Sequence, residues 1–390
     1  QLPAVGQVIR YQIKIQEFFR QGDTLLFRFG FDAAVDGHPL ITMRSGVAGF
    51  FSPDELASGK GLVDHSLRAS PKGGKVRGNW RRPSSLSQAL LPDSVSGDGI
   101  RALQQGRYAD AFGEAFSGLQ ITDPISLPDG MLSLVHRVLE LEPDGGHYDL
   151  GKIVGEADIH EDDWFLTCHF IDDQVMPGTL MYECCLHTLR VYLMSQGWVG
   201  EADEWCGDPI VGVRSRLRCR GQVLATTKTV QYEIHIREIG CDPHPMVIAD
   251  AIMYADHHPI VEIRDMSFQF RQASKAGIEQ LFLQKSAMSA PANQGSEVVA
   301  IGDIKPPVDG FNQDRIRAYA EGKPSEAFGP AYKIFDEGRV LARLPRDPYL
   351  FVDRVTEIRH APWEMKQGGF IETQYDVPAD AWYFAADTTG

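Results

Sequence analysis

Apolar and polar residues alternate from Val230 to Ile236 (VQYEIHI), the two-residue period of a strand with one buried face. Met266 to Phe270 (MSFQF) repeats the pattern. Two further apolar runs, Met246 to Tyr254 and Ile260 to Ile263, flank Asp256, His257, His258 and Pro259, a hairpin turn by composition. Gly151 to Asp158 also reads as a strand. Residues 178–196 are apolar on nearly every face of a helix, which predicts a buried one. Glu183, His187 and Arg190 interrupt that run, so it is a core helix and not a membrane span. One buried helix beside a series of antiparallel strands predicts an α+β layer, with the sheet wrapped around the helix.

The pattern repeats along the chain. Gly6-Gln7-Val8 recurs as Gly221-Gln222-Val223, an offset of 215, and Tyr11 to Ile15 matches Tyr232 to Ile236. Val35 to Pro39 matches Ala255 to Pro259, while Ala111 to Gly113 recurs 216 residues later as Ala327 to Gly329. Leu127-Pro128 returns as Leu344-Pro345, and Asp163-Trp164 corresponds to Ala381-Trp382. The expected organisation is the back half of one unit over 1–67, a complete unit over 105–272, and the front half of a third over 320–390. The stretches 68–104 and 273–319, rich in Ser, Pro, Gly and Lys, read as linkers. By these offsets Gln1 aligns with position 216 and Gly390 with position 172, so the two end halves together lack the helix-bearing span 173–215. The chain therefore reads as a fragment of a longer polypeptide.

Charge and cysteine usage narrow the function. A net charge of −15 argues against a nucleic-acid partner, which needs concentrated Lys and Arg. The basic run Lys72, Lys75, Arg77, Arg81 and Arg82 lies in a linker and reads as disordered, or as a patch that brushes an acidic carrier. Six cysteines (168, 184, 185, 206, 219 and 241) follow no Cys-x-x-Cys pattern, which implies reduced thiols and a cytoplasmic setting.

Candidate chemistry concentrates in fifteen residues. His169 lies eight residues before Pro177 and nine before Gly178, a pair suited to the sharp entry of a helix. A helix N-terminus offers unpaired N–H groups and partial positive charge, able to hold a thioester carbonyl as it becomes enolate-like. A neutral imidazole, with an ordinary pKa of about 6.5, can take the α-proton. Glu183 sits among Leu180, Met181, Cys184 and Leu186; burial there would raise its pKa and let it donate a proton to a departing hydroxyl. The alternative is an ordinary pair with His187 or Arg190 on the same helix. Cys168 beside His169 is discounted as a nucleophile, because adjacent residues of a strand point to opposite faces. Asp256-His257-His258 has the composition of a metal fragment, but its repeat counterpart Asp36-Gly37-His38 marks it as a turn. No metal is expected.

The string Cys168-His169-Phe170, then Asp173, Val175, Met176, Pro177 and Gly178, resembles the active-site motif of FabA-type β-hydroxyacyl-[acyl-carrier-protein] dehydratases. Gln174 departs from it, replacing a proline common there, and is expected to alter loop rigidity only. The resemblance implies the hot-dog fold, here in tandem. It implies His169 as base, Gly178 as carbonyl-binding donor and Glu183 in the acid position, with Cys168, Phe170, Met176 and Pro177 lining the substrate. It also implies an acyl thioester carried on the phosphopantetheine of an acyl carrier protein, with no other cofactor. Tandem units separated by linkers look like the dehydratase region of polyunsaturated fatty acid synthases, the polyketide-like multienzymes.

Aligning Trp164 with Trp382 puts Asp387 where His169 stands, so the third unit lacks the base. Paired hot-dog units exchange such residues, so the acid serving His169 is expected from a neighbouring unit or from Glu183 of a second copy. A hot-dog thioesterase and a non-catalytic structural unit are the rival readings; the former would need a carboxylate to activate water and no base at 169.

Overall fold

The computed structural model describes residues 3–22, 24–57, 59–63, 73–203, 205, 207–283, 304–337, 341–361 and 364–387. Cys206, Lys72 and much of the second expected linker lie outside them. The chain divides into two compact units, each assembled from three stretches. The first gathers Gln1–Gly59, Trp164–Gln174 and Asn293–Ala381; the second gathers Lys60–Asp163, Val175–Ala292 and Trp382–Gly390.

The sheet of the second unit runs β5 (Arg137–Glu142), β6 (Lys152–Asp158), β9 (Thr229–Cys241), β10 (Pro245–Ala255), β11 (His258–Phe270), β7 (Gly207–Asp208). Two short strands join it: β4 (Lys75–Arg77) runs parallel to β9, and β8 (Arg216–Cys219) pairs with β11. The other ladders are antiparallel. The alternation in β9 places Val230, Tyr232, Ile234 and Ile236 in the core, each at most 1% exposed. They face helix α6 (Gly178–Ser195), whose Cys184, Cys185, Leu189 and Val191 are fully buried. At Gly155 of β6 an added Cβ would come within 2.7 Å of the Thr188 hydroxyl, so glycine is what lets sheet and helix approach there. A long central helix held by a curled antiparallel sheet is the hot-dog fold.

The first unit builds the same strand order from the two ends of the chain: β12 (Arg354–Ile358), β13 (Phe370–Asp376), β1 (Val8–Gln21), β2 (Thr24–Val35), β3 (His38–Phe50). Register repeats too. Val8 and Ile9 face Asp376 and Tyr375, as Thr229 and Val230 face Asp158 and Ala157. Arg354 holds Asp376 with two hydrogen bonds of 2.7 and 2.6 Å, and Arg137 holds Asp158 with two of 2.8 Å. The hairpin turns match: Asp36-Gly37 and Asp256-His257 both take positive φ, the form a two-residue hairpin needs. Asp256 is suited to its turn by its carboxylate, which accepts the Lys228 and Thr229 amides at 2.9 and 3.0 Å; the latter bond chiefly lowers its pKa. Helices α1 (Pro53–Ala57), α5 (Trp164–Cys168), α8 (Gln313–Glu321) and α9 (Pro324–Phe328) belong to this unit. Among the described residues it contains no counterpart of α6.

The expected linkers are largely structured where they are described. β4 lies within 68–104, followed by α2 (Ser84–Ser87) and α3 (Gly97–Leu103), and α4 (Tyr108–Phe112) continues the series. Trp80, Leu86, Ile100 and Leu103 are core residues, and Trp80 meets Trp198 edge-on at 5.4 Å. These anchors are too widely spaced to form a periodic run, and the Ser, Pro and Gly between them gave the segment its linker-like composition. Two members of the basic run are tied down as well: Arg77 pairs with Glu238 and Arg82 with Asp144. In the second expected linker, α7 (Lys275–Leu283) sets Phe282 edge-on against Phe116, and Ile316 of α8 packs with Leu350 and Val355.

Candidate active site

His169 follows α5 directly, so Trp164–Cys168 is a helical turn and not the expected strand. Five mostly apolar residues are too short to display either period, which is why the sequence misleads there. The loop beyond is closed by the Phe170 amide donating to the Asp173 carbonyl at 2.7 Å. The Arg346 amide donates to the Cys168 carbonyl at 3.0 Å, and the Arg346 guanidinium donates to the Thr167 carbonyl at 3.1 Å. The half-buried imidazole lies 4.0 Å from the Phe170 ring and meets Tyr349 edge-on at 6.0 Å. These aromatic neighbours restrict its orientation. Tyr349 and Arg346, 180 and 177 positions away in the chain, carry no local signal of this role.

Cys168 is 1% exposed, and burial pushes its thiol up to about 11. Burial likewise raises Cys219 to about 11 and both Cys184 and Cys241 to about 12. Discounting Cys168 as a nucleophile therefore stands, on burial instead of strand geometry. All five described cysteines are free thiols. Alkylation of the native protein at pH 8 is expected to be slow, whereas unfolding without reductant should expose all six thiols of the sequence to the reagent. Mass spectrometry of the intact chain checks this; an unfolded protein that takes up only four labels would reveal a disulfide.

Met176, Pro177, Gly178 and Glu183 lie in the second unit. The Met176 amide donates to the Val223 carbonyl at 3.0 Å, anchoring the approach to α6. Pro177, with φ −57° and ψ 136°, is the extended residue before the helix, and Gly178 is its first helical residue. Only the Cys219 sulfur, at 4.0 Å, approaches the place where a Cβ on Gly178 would stand. The amide of Gly178, at the first helical position, has no acceptor within the helix.

Glu183 is less enclosed than its neighbours suggest. Its side chain is 36% exposed, so the expected burial of this carboxylate is not found. Met181 and Cys184 are buried, but their offsets of two positions and one turn them to other faces of the helix; Leu180, three positions back on the same side, is buried too without enclosing the carboxylate. The alternative partner is present: His187 Nε2 stands 3.1 Å from Glu183 Oε1. His187 is 2% exposed and lines a small apolar cleft with Ile100, Leu127, Leu132 and Val135. The candidate residues therefore fall into two sets, Cys168, His169 and Phe170 in the first unit and Met176 to Glu183 in the second.

Arg190, the other partner considered for Glu183, turns elsewhere. Its Nη1 donates to Asp387 at 2.7 Å and its Nη2 to the Ser126 carbonyl at 2.9 Å. Asp387 follows α10 (Trp382–Ala386), which has the length of α5 and stands 218 residues after it. The Asp129 amide donates to the Ala386 carbonyl at 2.9 Å, as the Arg346 amide does to Cys168. The structure thus places Asp387 as the counterpart of His169. Among the described residues no group of three His, Cys, Asp or Glu is arranged to hold a metal, and no helix is long and apolar enough to cross a membrane.

Residues 127–264 match the FabA-like domain. A polyunsaturated fatty acid synthase polypeptide of Thraustochytrium sp. is 32% identical over 253 residues, which are 63% of this chain and 16% of that protein. The chain spans a small part of that curated relative. Solved structures similar to it include the dehydratase heterocomplex ApeI:P from Xenorhabdus doucetiae, with 14% identity, 39% of this chain and 91% of that one covered, and a TM-score of 0.28. The dehydratase domain of a mycocerosic acid synthase-like polyketide synthase covers 69% of this chain and 76% of its own at 11% identity, with a TM-score of 0.28. Residues 127–264, about a third of the chain, are thus similar to a FabA-like domain, and the fatty acid synthase polypeptide is similar over a longer stretch.

Proposed function

We propose that this chain is part of a dehydratase that converts a β-hydroxyacyl thioester into the trans-2-enoyl thioester. The observation that carries the reading is the half-buried imidazole of His169, walled by Phe170 and Tyr349, in a loop that leads into the helix start at Gly178. His169 takes the α-proton. The Gly178 N–H holds the carbonyl oxygen as negative charge develops on it. A carboxylic acid at the Glu183 position of an α6-type helix protonates the β-hydroxyl, the C–O bond breaks, and water leaves as the double bond forms. The acid serving His169 is supplied by another such helix, on a neighbouring hot-dog unit or as Glu183 of a second copy. The substrate is an acyl chain on the phosphopantetheine of an acyl carrier protein, and the synthase relative supports this setting.

Incubating the purified chain with a crotonyl-type pantetheine thioester tests the proposal. Loss of the conjugated enoyl absorbance without release of free thiol is the expected result. Thiol release would indicate a thioesterase, and neither change would indicate a non-catalytic unit.

A further inference from the structure

We propose that the Arg190–Asp387 pair is a positioning element that has taken the base's place in the second unit and sets α6, whose first two turns present Gly178 and Glu183. Asp387 stands where the repeat puts His169, yet its carboxylate is 2.7 Å from a guanidinium that is itself only 4% exposed. A carboxylate committed to a buried cation is a poor proton acceptor, so residue 387 does no acid–base chemistry. The pair instead ties together three stretches of chain. Arg190 reaches from α6 to Asp387 and to the Ser126 carbonyl, and Asp129, three residues on, binds the Ala386 carbonyl. Arg190 lies seven residues, about two turns, after Glu183, so it fixes the rotation of the face that carries the carboxylate. Removing Asp387 strands the buried guanidinium, and removing Arg190 leaves a carboxylate that is 19% exposed without its cation, whereas removing both does neither.

This inference rests on the reading of Gly178 and Glu183 as substrate-facing, and the test separates the two. Arg190→Met, Asp387→Asn, the double variant and Arg190→Lys are made in the full chain. Amide hydrogen exchange over 180–190 and 382–387 is followed by mass spectrometry, alongside kcat, KM and the pH profile for crotonyl-pantetheine hydration. Each single neutralisation is expected to speed exchange in both segments at least about tenfold, with the double variant closer to wild type. kcat should fall about tenfold with KM and the pH profile unmoved, and Arg190→Lys should recover most of it. If the wild-type chain does not turn over, the dehydratase reading fails while the exchange data still decide the pair. Unchanged exchange over 180–190 in both single variants would overturn the proposal. So would an Asp387→Asn enzyme with an altered pH profile beside an unaffected Arg190→Met enzyme, since Asp387 would then be an acid–base group.

Discussion

Replacing His169 with alanine is expected to lower kcat/KM for hydration of a crotonyl-type thioester by on the order of 100-fold to 10,000-fold. A 100-fold loss corresponds to about 2.7 kcal/mol of transition-state stabilisation, more than a surface substitution changes in anything else. The fold should survive. His169 is only half-buried, and its loop is held by main-chain bonds of Phe170, Asp173 and Cys168 that alanine leaves in place. What the substitution removes is a ring stacked on Phe170 and facing Tyr349, with no other imidazole in the same loop. The melting temperature should therefore move little while turnover collapses. The exposed His160, before α5, provides the control: His160→Ala should leave turnover within about twofold. Retention of more than about a tenth of the activity by His169→Ala would remove His169 from the role of base.

Much of this was legible because it is periodic or local. The alternation from Val230 to Ile236 became β9, the apolar run 178–196 became α6, and Asp256 marked a turn whose geometry its repeat partner at Asp36 shares. The repeat offsets also put Asp387 opposite His169, which the matching helices α5 and α10 bear out. Contacts between distant residues were not legible. β13 pairs with β1 across more than 350 positions; the repeat offsets made the two ends complementary halves, but no local pattern states that they pair with each other. The sequence neighbours of Glu183 suggested burial, but a helix turns adjacent residues to different faces, and only packing shows which face is open. Arg190 was a candidate partner for Glu183 on its own helix; the carboxylate it binds lies 197 residues away. Composition misled most in 68–104, where isolated anchors such as Trp80 and Leu86 outweigh the Ser, Pro and Gly around them.

Gly178→Pro is expected to cost on the order of 100-fold to 1,000-fold in kcat, while Gly178→Ala stays close to wild type. The contrast isolates one N–H group. Proline lacks the amide hydrogen, but at the first helical position that hydrogen makes no bond inside the helix, and proline is favoured there. The preceding residue must then be extended, and Pro177 already is, at ψ 136°. Space is available as well, since the nearest atom to an added Cβ is the Cys219 sulfur at 4.0 Å. Both variants should fold and melt like the parent, so a difference in turnover reports the missing donor. The loss should fall on kcat more than on KM, because the N–H bonds the oxyanion-like oxygen more strongly than the ground-state carbonyl. In the proposed mechanism His169 and Gly178 serve the same proton-transfer step, so combining Gly178→Pro with His169→Ala is expected to lose little more than the worse single variant. Fully multiplicative losses would place the two residues in different steps. A proline variant with near-normal kcat would move the carbonyl-binding donor away from the start of α6.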